Sequence, residues 1–319
     1  MNEPRRLSVG AWVKIGFVIA LCLILMGSLG FCATGFGPHF SFRPSFFLNN
    51  SYNNPVSNHD WQVGSGSTSA GILENINLDW REGDVEIHTH SGSTIEVIDR
   101  PASSSEEDQV HWVLENGTLY VLSNLNNATF SIFPVFGHHS CEILIPERLA
   151  LGLADIELSV ASGSLTLDGM SCNAMKVDLA SGDIRATNVE AQTCNIHVAS
   201  GRMNASGLHV GVLKLVVKSG NVDIAGVFDS WDTSTASGNL KIHSSTAPTS
   251  ISAEVSSGSV TFSFPEPGSG FTATVNRSSG GFNCGFSTTQ SGDGHYVCGD
   301  GSARYSFSIS SGTVNLTPA

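Results

Sequence analysis

The dipeptide Ser-Gly recurs at Ser162, Ser181, Ser200, Ser219, Ser237 and Ser257, in steps of 19, 19, 19, 18 and 20 residues. A fixed period of that length marks a solenoid, whose units cannot bury an apolar face alone and do so against their neighbours. Looser copies stand at Ser279 and Ser311, the second after an insertion.

Aligned on the serine, the apolar residues fall into columns. Six residues before it stand Ile156, Met175, Cys194, Leu213, Trp231, Ile251 and Tyr305. Four before stand Leu158, Val177, Ile196, Leu215 and Phe307, and two before stand Val160, Leu179, Val198, Val217, Val255 and Ile309. Three after come Leu165, Ile184, Met203, Val222, Leu240, Val260, Phe282 and Val314; five after come Leu167, Ala186, Ala205, Ile224, Ile242, Phe262 and Leu316. The residues between are mostly polar, so each repeat reads as two strands with one face on a core and one in water. The period is two throughout the repeats. The expected fold is all-β, a parallel β-solenoid of about 19-residue coils stacked about 4.8 Å apart. At the turn, glycine is expected to supply a positive φ and the serine hydroxyl to bond backbone at the bend. Repetition without a G-x-S-x-G elbow or a Ser-Lys pair argues that these serines are structural.

Charged residues make up 13% of the chain and the net charge is −13, which disfavours nucleic acid as a partner. Arg5, Arg6 and Lys14 precede Ile15 to Ala33, a nearly uncharged apolar run long enough to cross a bilayer. Basic residues on that side predict a cytoplasmic tail (1–14), a transmembrane anchor (15–33) and an extracytoplasmic remainder. A cleaved signal peptide, with secretion, is the alternative. Residues 34–70, rich in Phe, Pro, Asn, Ser and Gly, read as a stalk whose phenylalanines suit a membrane interface. Residues 71–147 hold alternating runs out of register with the later columns. They are expected to form an irregular β section that caps the solenoid of residues 148–319, with Ser91-Gly92 as a degenerate turn. At the other end, Pro318 cannot extend a ladder, which leaves a lightly guarded edge.

Cys22 and Cys32 belong to the apolar run, and Cys172 and Cys194 read as small core fillers. Cys284 and Cys298 bracket a Gly-Ser-Asp-rich insertion, and an oxidising exterior would permit a disulfide across its base. His88 with His90, and His138-His139-x-Cys141, place soft ligands close together, but a zinc site needs three or four that converge. Neither group is taken as a metal site, no cofactor is implied and no catalytic residue is assigned. Gly292-Asp293-Gly294 and Gly299-Asp300-Gly301 are single turns, not calcium-binding arrays. Asp178 and His197 share one outward column, with Lys176, Asn195 and Lys214 in another. Lys176, Asp178, His197 and Lys214 are therefore the candidate ligand-binding residues. The row lacks the paired carboxylates of glycoside hydrolysis.

Gly83-Asp84-Val85-Glu86-Ile87, Ile143-Leu144-Ile145-Pro146 and the turns Ser162-Gly163-Ser164-Leu165, Ser181-Gly182-Asp183-Ile184, Ser219-Gly220-Asn221-Val222, Ser237-Gly238-Asn239-Leu240 and Ser257-Gly258-Ser259-Val260 resemble the bacterial envelope family known as putative adhesin. That family is a β-strand-repeat domain of unassigned function, often found after one membrane span. The resemblance covers roughly Ile72 to the C-terminus, and Ser200-Gly201-Arg202-Met203 departs from it after the glycine. It implies an envelope protein and brings no catalytic residues with it. Three classes of function follow: a binding or adhesion module for an envelope polymer or protein partner, an accessory part of an envelope stress-sensing or assembly system, and a carbohydrate-active enzyme. Fold does not choose among them.

Overall fold

The computed structural model describes residues 59–101, 106–123 and 139–319. The apolar run 15–33, the phenylalanine-rich segment, Cys22, Cys32 and His138 lie outside the described residues. Among the described residues no helix is long and apolar enough to cross a membrane.

Alternating apolar and polar residues produce an all-β, β-solenoid-like fold built from two parallel ladders. Strands are numbered along the chain. The ladder that precedes each Ser-Gly turn, ladder A, runs in space through β7 (Thr118–Leu122), β3 (Asn75–Trp80), β9 (Leu151–Val160), β11 (Ser171–Leu179) and β13 (Glu190–Val198). It continues through the second halves of β14 (Arg202–Val217) and β15 (Asn221–Thr235), then β17 (Ser250–Val255), β23 (Ala303–Ile309) and β19 (Gly270–Arg277). Ladder B, after the turn, runs through β8 (Ser140–Pro146), β4 (Asp84–His90), β10 (Ser164–Asp168), β12 (Asp183–Thr187) and the first halves of β14 and β15. It ends in β16 (Asn239–Ser244), β18 (Ser259–Phe264), β24 (Thr313–Pro318) and β20 (Gly281–Cys284).

The pairing registers reproduce the sequence columns. Ile156, Met175, Cys194, Leu213, Trp231, Ile251 and Tyr305 are successive partners, and so are Leu165, Ile184, Met203, Val222, Leu240, Val260 and Val314. All fourteen are buried. Thr233 and Thr235 occupy gaps in two of the columns and are buried there as well. A second bend, unseen in the sequence, lies between the ladders at Gly169, Asn188 and Gly207, where φ is +74°, +54° and +66°. Met170, Val189 and Leu208 follow these residues into the core.

The Ser-Gly turn works differently from the expectation. Gly182 does have φ +120°, but φ of Gly238 does not lie in the positive range. What both share is contact with the coil below. A Cβ on Gly182 would lie 2.2 Å from the Gly163 carbonyl oxygen, and one on Gly238 would lie 2.3 Å from that of Gly220. That oxygen accepts the next coil's N–H, from Asp183 at 2.9 Å and from Asn239 at 3.0 Å. Glycine is thus required chiefly because backbone stacks on backbone at the corner. The hydroxyls of Ser257 and Ser311 donate to the preceding coil, at Ala236 O (3.0 Å) and Ser256 O (3.1 Å), not within their own bend.

Both ends depart from chain order. At the N-terminal end the coil β7/β8 lies outside β3/β4, although it follows it in sequence. The corner glycine there is Gly83, whose carbonyl accepts Ser164 N–H at 3.0 Å, so Gly83, not Gly92, is the early turn copy. Antiparallel β6 (His111–Glu115) and β1 (Gln62–Val63) close ladder A, while β5 (Thr94–Arg100) and β2 (Gly66–Ser69) close ladder B. Gln62–Val63 and Gly66–Ser69, expected to belong to a stalk reaching residue 70, are paired strands of the domain. Within residues 71–147 lie the strands of two coils, β3/β4 and β7/β8, and the cap strands β5 and β6. The cap holds a buried polar link, in which the Asp99 carboxylate takes hydrogen bonds from His139 (2.7 Å) and Val110 N–H (2.9 Å).

At the C-terminal end the last coil in sequence, β23/β24, sits between β17/β18 and β19/β20. Pro318 pairs with Phe264, and Ala319 N–H reaches Phe264 O at 3.0 Å. The C-terminal strand is thus interior rather than an unguarded edge. The outer coil is covered on ladder A by antiparallel β22 (His295–Gly299) and β21 (Thr289–Gln290). Its interior is aromatic: Phe271 stacks on Tyr305 (4.7 Å) and Phe264 on Phe286 (5.0 Å), while the buried Tyr305 hydroxyl donates to Pro248 O at 3.0 Å.

Candidate functional site

Ladder A presents its outward residues in parallel rows because the register holds from coil to coil. Lys176 pairs with Glu157 on one side and Asn195 on the other, and Asn195 pairs in turn with Lys214. Asp178 pairs with His197, and Lys214 with Asp232. Three of the four candidate residues, Lys176, His197 and Lys214, line one shallow depression of about 340 Å³, together with Asn195, Asp232 and Ser234. Asp178 stands beside it.

A chain of charge-assisted contacts orders this face. Lys176 Nζ donates to Glu157 Oε1 at 2.5 Å and reaches Asp178 Oδ2 at 3.2 Å, and His197 Nδ1 meets Asp178 Oδ1 at 2.9 Å. Burial opposes the charge on Asp178, but the His197 hydrogen bond and the Lys176 ammonium outweigh it and hold the carboxyl below its usual range. Burial likewise opposes the charge on Lys176, yet its contacts with Glu157 and Asp178 raise the ammonium above the ordinary lysine value. Lys176 and His197 are each 42% exposed, so such pairs contribute only about 0–1 kcal/mol each. The network orients side chains more than it stabilises the coil.

The face carries hydrogen-bond donors and acceptors of both charges. Asp178 and His197 could form two members of a hydrolytic triad, and Ser234 lies in the same row. Val216, however, stands between His197 and Ser234 in register. Two coil steps separate His197 from the hydroxyl, about 9.6 Å at 4.8 Å per step, against the roughly 3 Å that proton transfer needs. His197 is therefore not placed to activate the Ser234 hydroxyl.

The remaining sequence candidates do not converge. His88 meets Glu86 at 3.1 Å, His90 meets Thr94 O at 2.8 Å, and His139 is engaged by Asp99. Cys141 faces the core beneath, its thiol raised by burial. Among the described residues no group of three or more ligands could hold a metal. Cys172 and Cys194 are buried fillers, with thiols that desolvation pushes up to about 12. Cys284 and Cys298, whose spacing would permit a disulfide, are both free thiols in this structure. Burial raises both, and Cys298 Sγ lies 3.7 Å from Glu266 Oε1 as a donor.

A second concavity went unrecognised in the sequence. Ser171, Asn173, Glu190, Gln192, His209 and Asp229 line a polar groove of about 420 Å³ where β11, β13, β14 and β15 enter ladder A. A register shift at Ser171/Cys172 lies at its edge, and nothing in the period-two pattern announces it.

No curated protein shows a significant match to the chain. Among solved structures it is similar to a "putative cell adhesion protein" from Clostridium sporogenes (12% identity, 81% of this chain and 100% of the other, TM-score 0.28). It is also similar to "putative adhesin" structures from Bacteroides fragilis (12% identity, 80% and 97%, TM-score 0.44) and Parabacteroides distasonis (14% identity, 81% and 98%, TM-score 0.41). With TM-scores below 0.5, none of these likenesses supports a statement about activity. Residues 73–317 match the family described as Toastrack DUF4097, a span running from the first complete coil to the C-terminal strand. The chain belongs to that Toastrack DUF4097 family.

Proposed function

We propose that this protein is a non-catalytic binding module, held at the cell membrane by residues 15–33 with its solenoid outside the cytoplasm. It engages an envelope polymer or a partner protein through the outer face of ladder A. The observation that carries the reading is the cluster Lys176, Asp178, His197 and Lys214, placed by register at one shallow depression, with the first three joined by ion pairs. Ordered polar rows repeated at the coil spacing favour many weak contacts acting together.

Full-length protein in detergent should co-sediment with isolated cell envelopes. Changing Lys176, Asp178, His197 and Lys214 together to alanine should lower that binding at least tenfold with the melting temperature retained, because all four lie on the water-facing side of their strands. A turnover screen on envelope glycans runs alongside. Product release by the wild type, abolished by Asp178→Asn or His197→Ala alone, would make the protein an enzyme and sink the proposal.

The topology is tested separately. Protease added to intact cells, or to spheroplasts where an outer membrane shields the surface, should digest the solenoid while a cytoplasmic marker survives, since Arg5, Arg6 and Lys14 precede the apolar run. Protection equal to that of the marker defeats the assignment.

A further inference from the structure

The groove at the entry to ladder A is separate from the Lys176 depression and has its own chemistry. Its walls are the amides of Asn173 and Gln192, the Ser171 hydroxyl, the His209 ring and the carboxylates of Glu190 and Asp229. Asn173, Glu190, Gln192, His209 and Asp229 are exposed. Gly211 forms part of the floor, where a Cβ would meet the Gln192 carbonyl oxygen at 2.8 Å. The groove follows the stacking direction from the coil of Gly152 to that of Asp229, four steps or about 19 Å at 4.8 Å each.

The lining selects among ligands. It holds no lysine or arginine, which a phosphate backbone or an acidic polymer would need. Two carboxylates in a chain of net charge −13 repel such anions. It holds no Phe, Tyr or Trp, and the small His209 imidazole is its one ring, a poor platform for stacking successive nucleobases. What it offers is mixed donors and acceptors spaced by coil, the complement of a chain of hydroxyl-bearing rings. Beside the groove Ala174, Thr193, Val212 and Ser230 form the next row. Val212, at 37% exposure, supplies an apolar surface for the C–H face of a ring.

We propose that this groove binds an uncharged, extended glycan lying along the solenoid, with about one sugar ring per coil. The site extends the binding reading to a second surface and is independent of the Lys176 row.

The test uses full-length protein in detergent and uncharged β-1,4-linked glucose oligomers of two to six units. Hexagalacturonate and hexalysine serve as acidic and basic counterparts. Affinity for the neutral oligomers should rise at least tenfold from the dimer to the pentamer and level off there. Gln192→Trp, which fills the groove, should weaken pentamer binding at least tenfold. The pair Asn173→Ala and Gln192→Ala, which removes polar contacts without adding bulk, should weaken it at least fivefold. Lys176→Ala with His197→Ala should leave it within twofold, so failure of the groove and failure of the Lys176 row are read separately. No binding of any neutral oligomer at millimolar concentration overturns the proposal. So does affinity that is independent of length, unaffected by the groove substitutions, or stronger for hexalysine or hexagalacturonate than for the neutral hexamer.

Discussion

Gly182→Ala should destabilise the solenoid by about 3 kcal/mol or more, because it combines two costs that other glycines of this chain separate. At Gly71 there is open space and no positive φ, and alanine there should be neutral within about 0.5 kcal/mol. At Gly152 φ is +91° with nothing within 4 Å of a Cβ, so alanine pays the conformational penalty alone, about 1 kcal/mol. At Gly238 φ is not positive but the Cβ would lie 2.3 Å from the Gly220 carbonyl oxygen. That oxygen belongs to backbone fixed by Asn239 N–H and cannot swing aside. Gly182 has both φ +120° and a carbonyl oxygen at 2.2 Å. Urea melts should rank the alanine variants Gly71, Gly152, Gly238, Gly182 from least to most destabilised. If Gly182→Ala and Gly152→Ala melt together, the corner is looser than described and stacking does not require the glycine.

The second large effect concerns strand orientation. Met203 is 2% exposed and lies in register between Ile184 and Val222, whereas its neighbour Asn204 faces water between Arg185 and Asp223. Met203→Asp buries an unpaired carboxylate among aliphatic side chains and should cost several kcal/mol. Asn204→Asp gains attraction from Arg185 and repulsion from Asp223, and should stay within about 0.5 kcal/mol. Thermal unfolding followed by circular dichroism reads both. Equal melting temperatures would mean that the strand presents the opposite face.

The columns were legible because burial repeats every two residues and each coil is nearly the same length, so counting from the serine places every core residue. The same counting put Asp178 beside His197, and the 2.9 Å contact between them follows from it. The bend at Gly169, Asn188 and Gly207 shares the 19-residue spacing but uses two residue types, since both glycine and asparagine tolerate φ near +60°. That variation hid it. The conformation of the Ser-Gly corner was misjudged for another reason: glycine serves positive φ and close approach equally well, and only coordinates separate them. The groove is bordered by a register shift at Ser171/Cys172, and whether Cys284 and Cys298 pair depends on side-chain geometry. Neither leaves a trace in periodicity.

Chain order at the two ends was the least legible feature, because the copies at Ser279 and Ser311 look like consecutive coils while β23/β24 lies inside β19/β20. This arrangement couples completion of the domain to arrival of its C-terminus. During synthesis the segment from Gly270 to Cys284 has no finished rung to dock on until Ala303–Pro318 has emerged and paired with β17 and β18. A chain cut short before residue 303 therefore loses an internal rung and leaves the aromatic terminal coil with nothing to rest on, so proofreading by proteolysis would act on the whole segment from Gly270 onward rather than on a frayed tip.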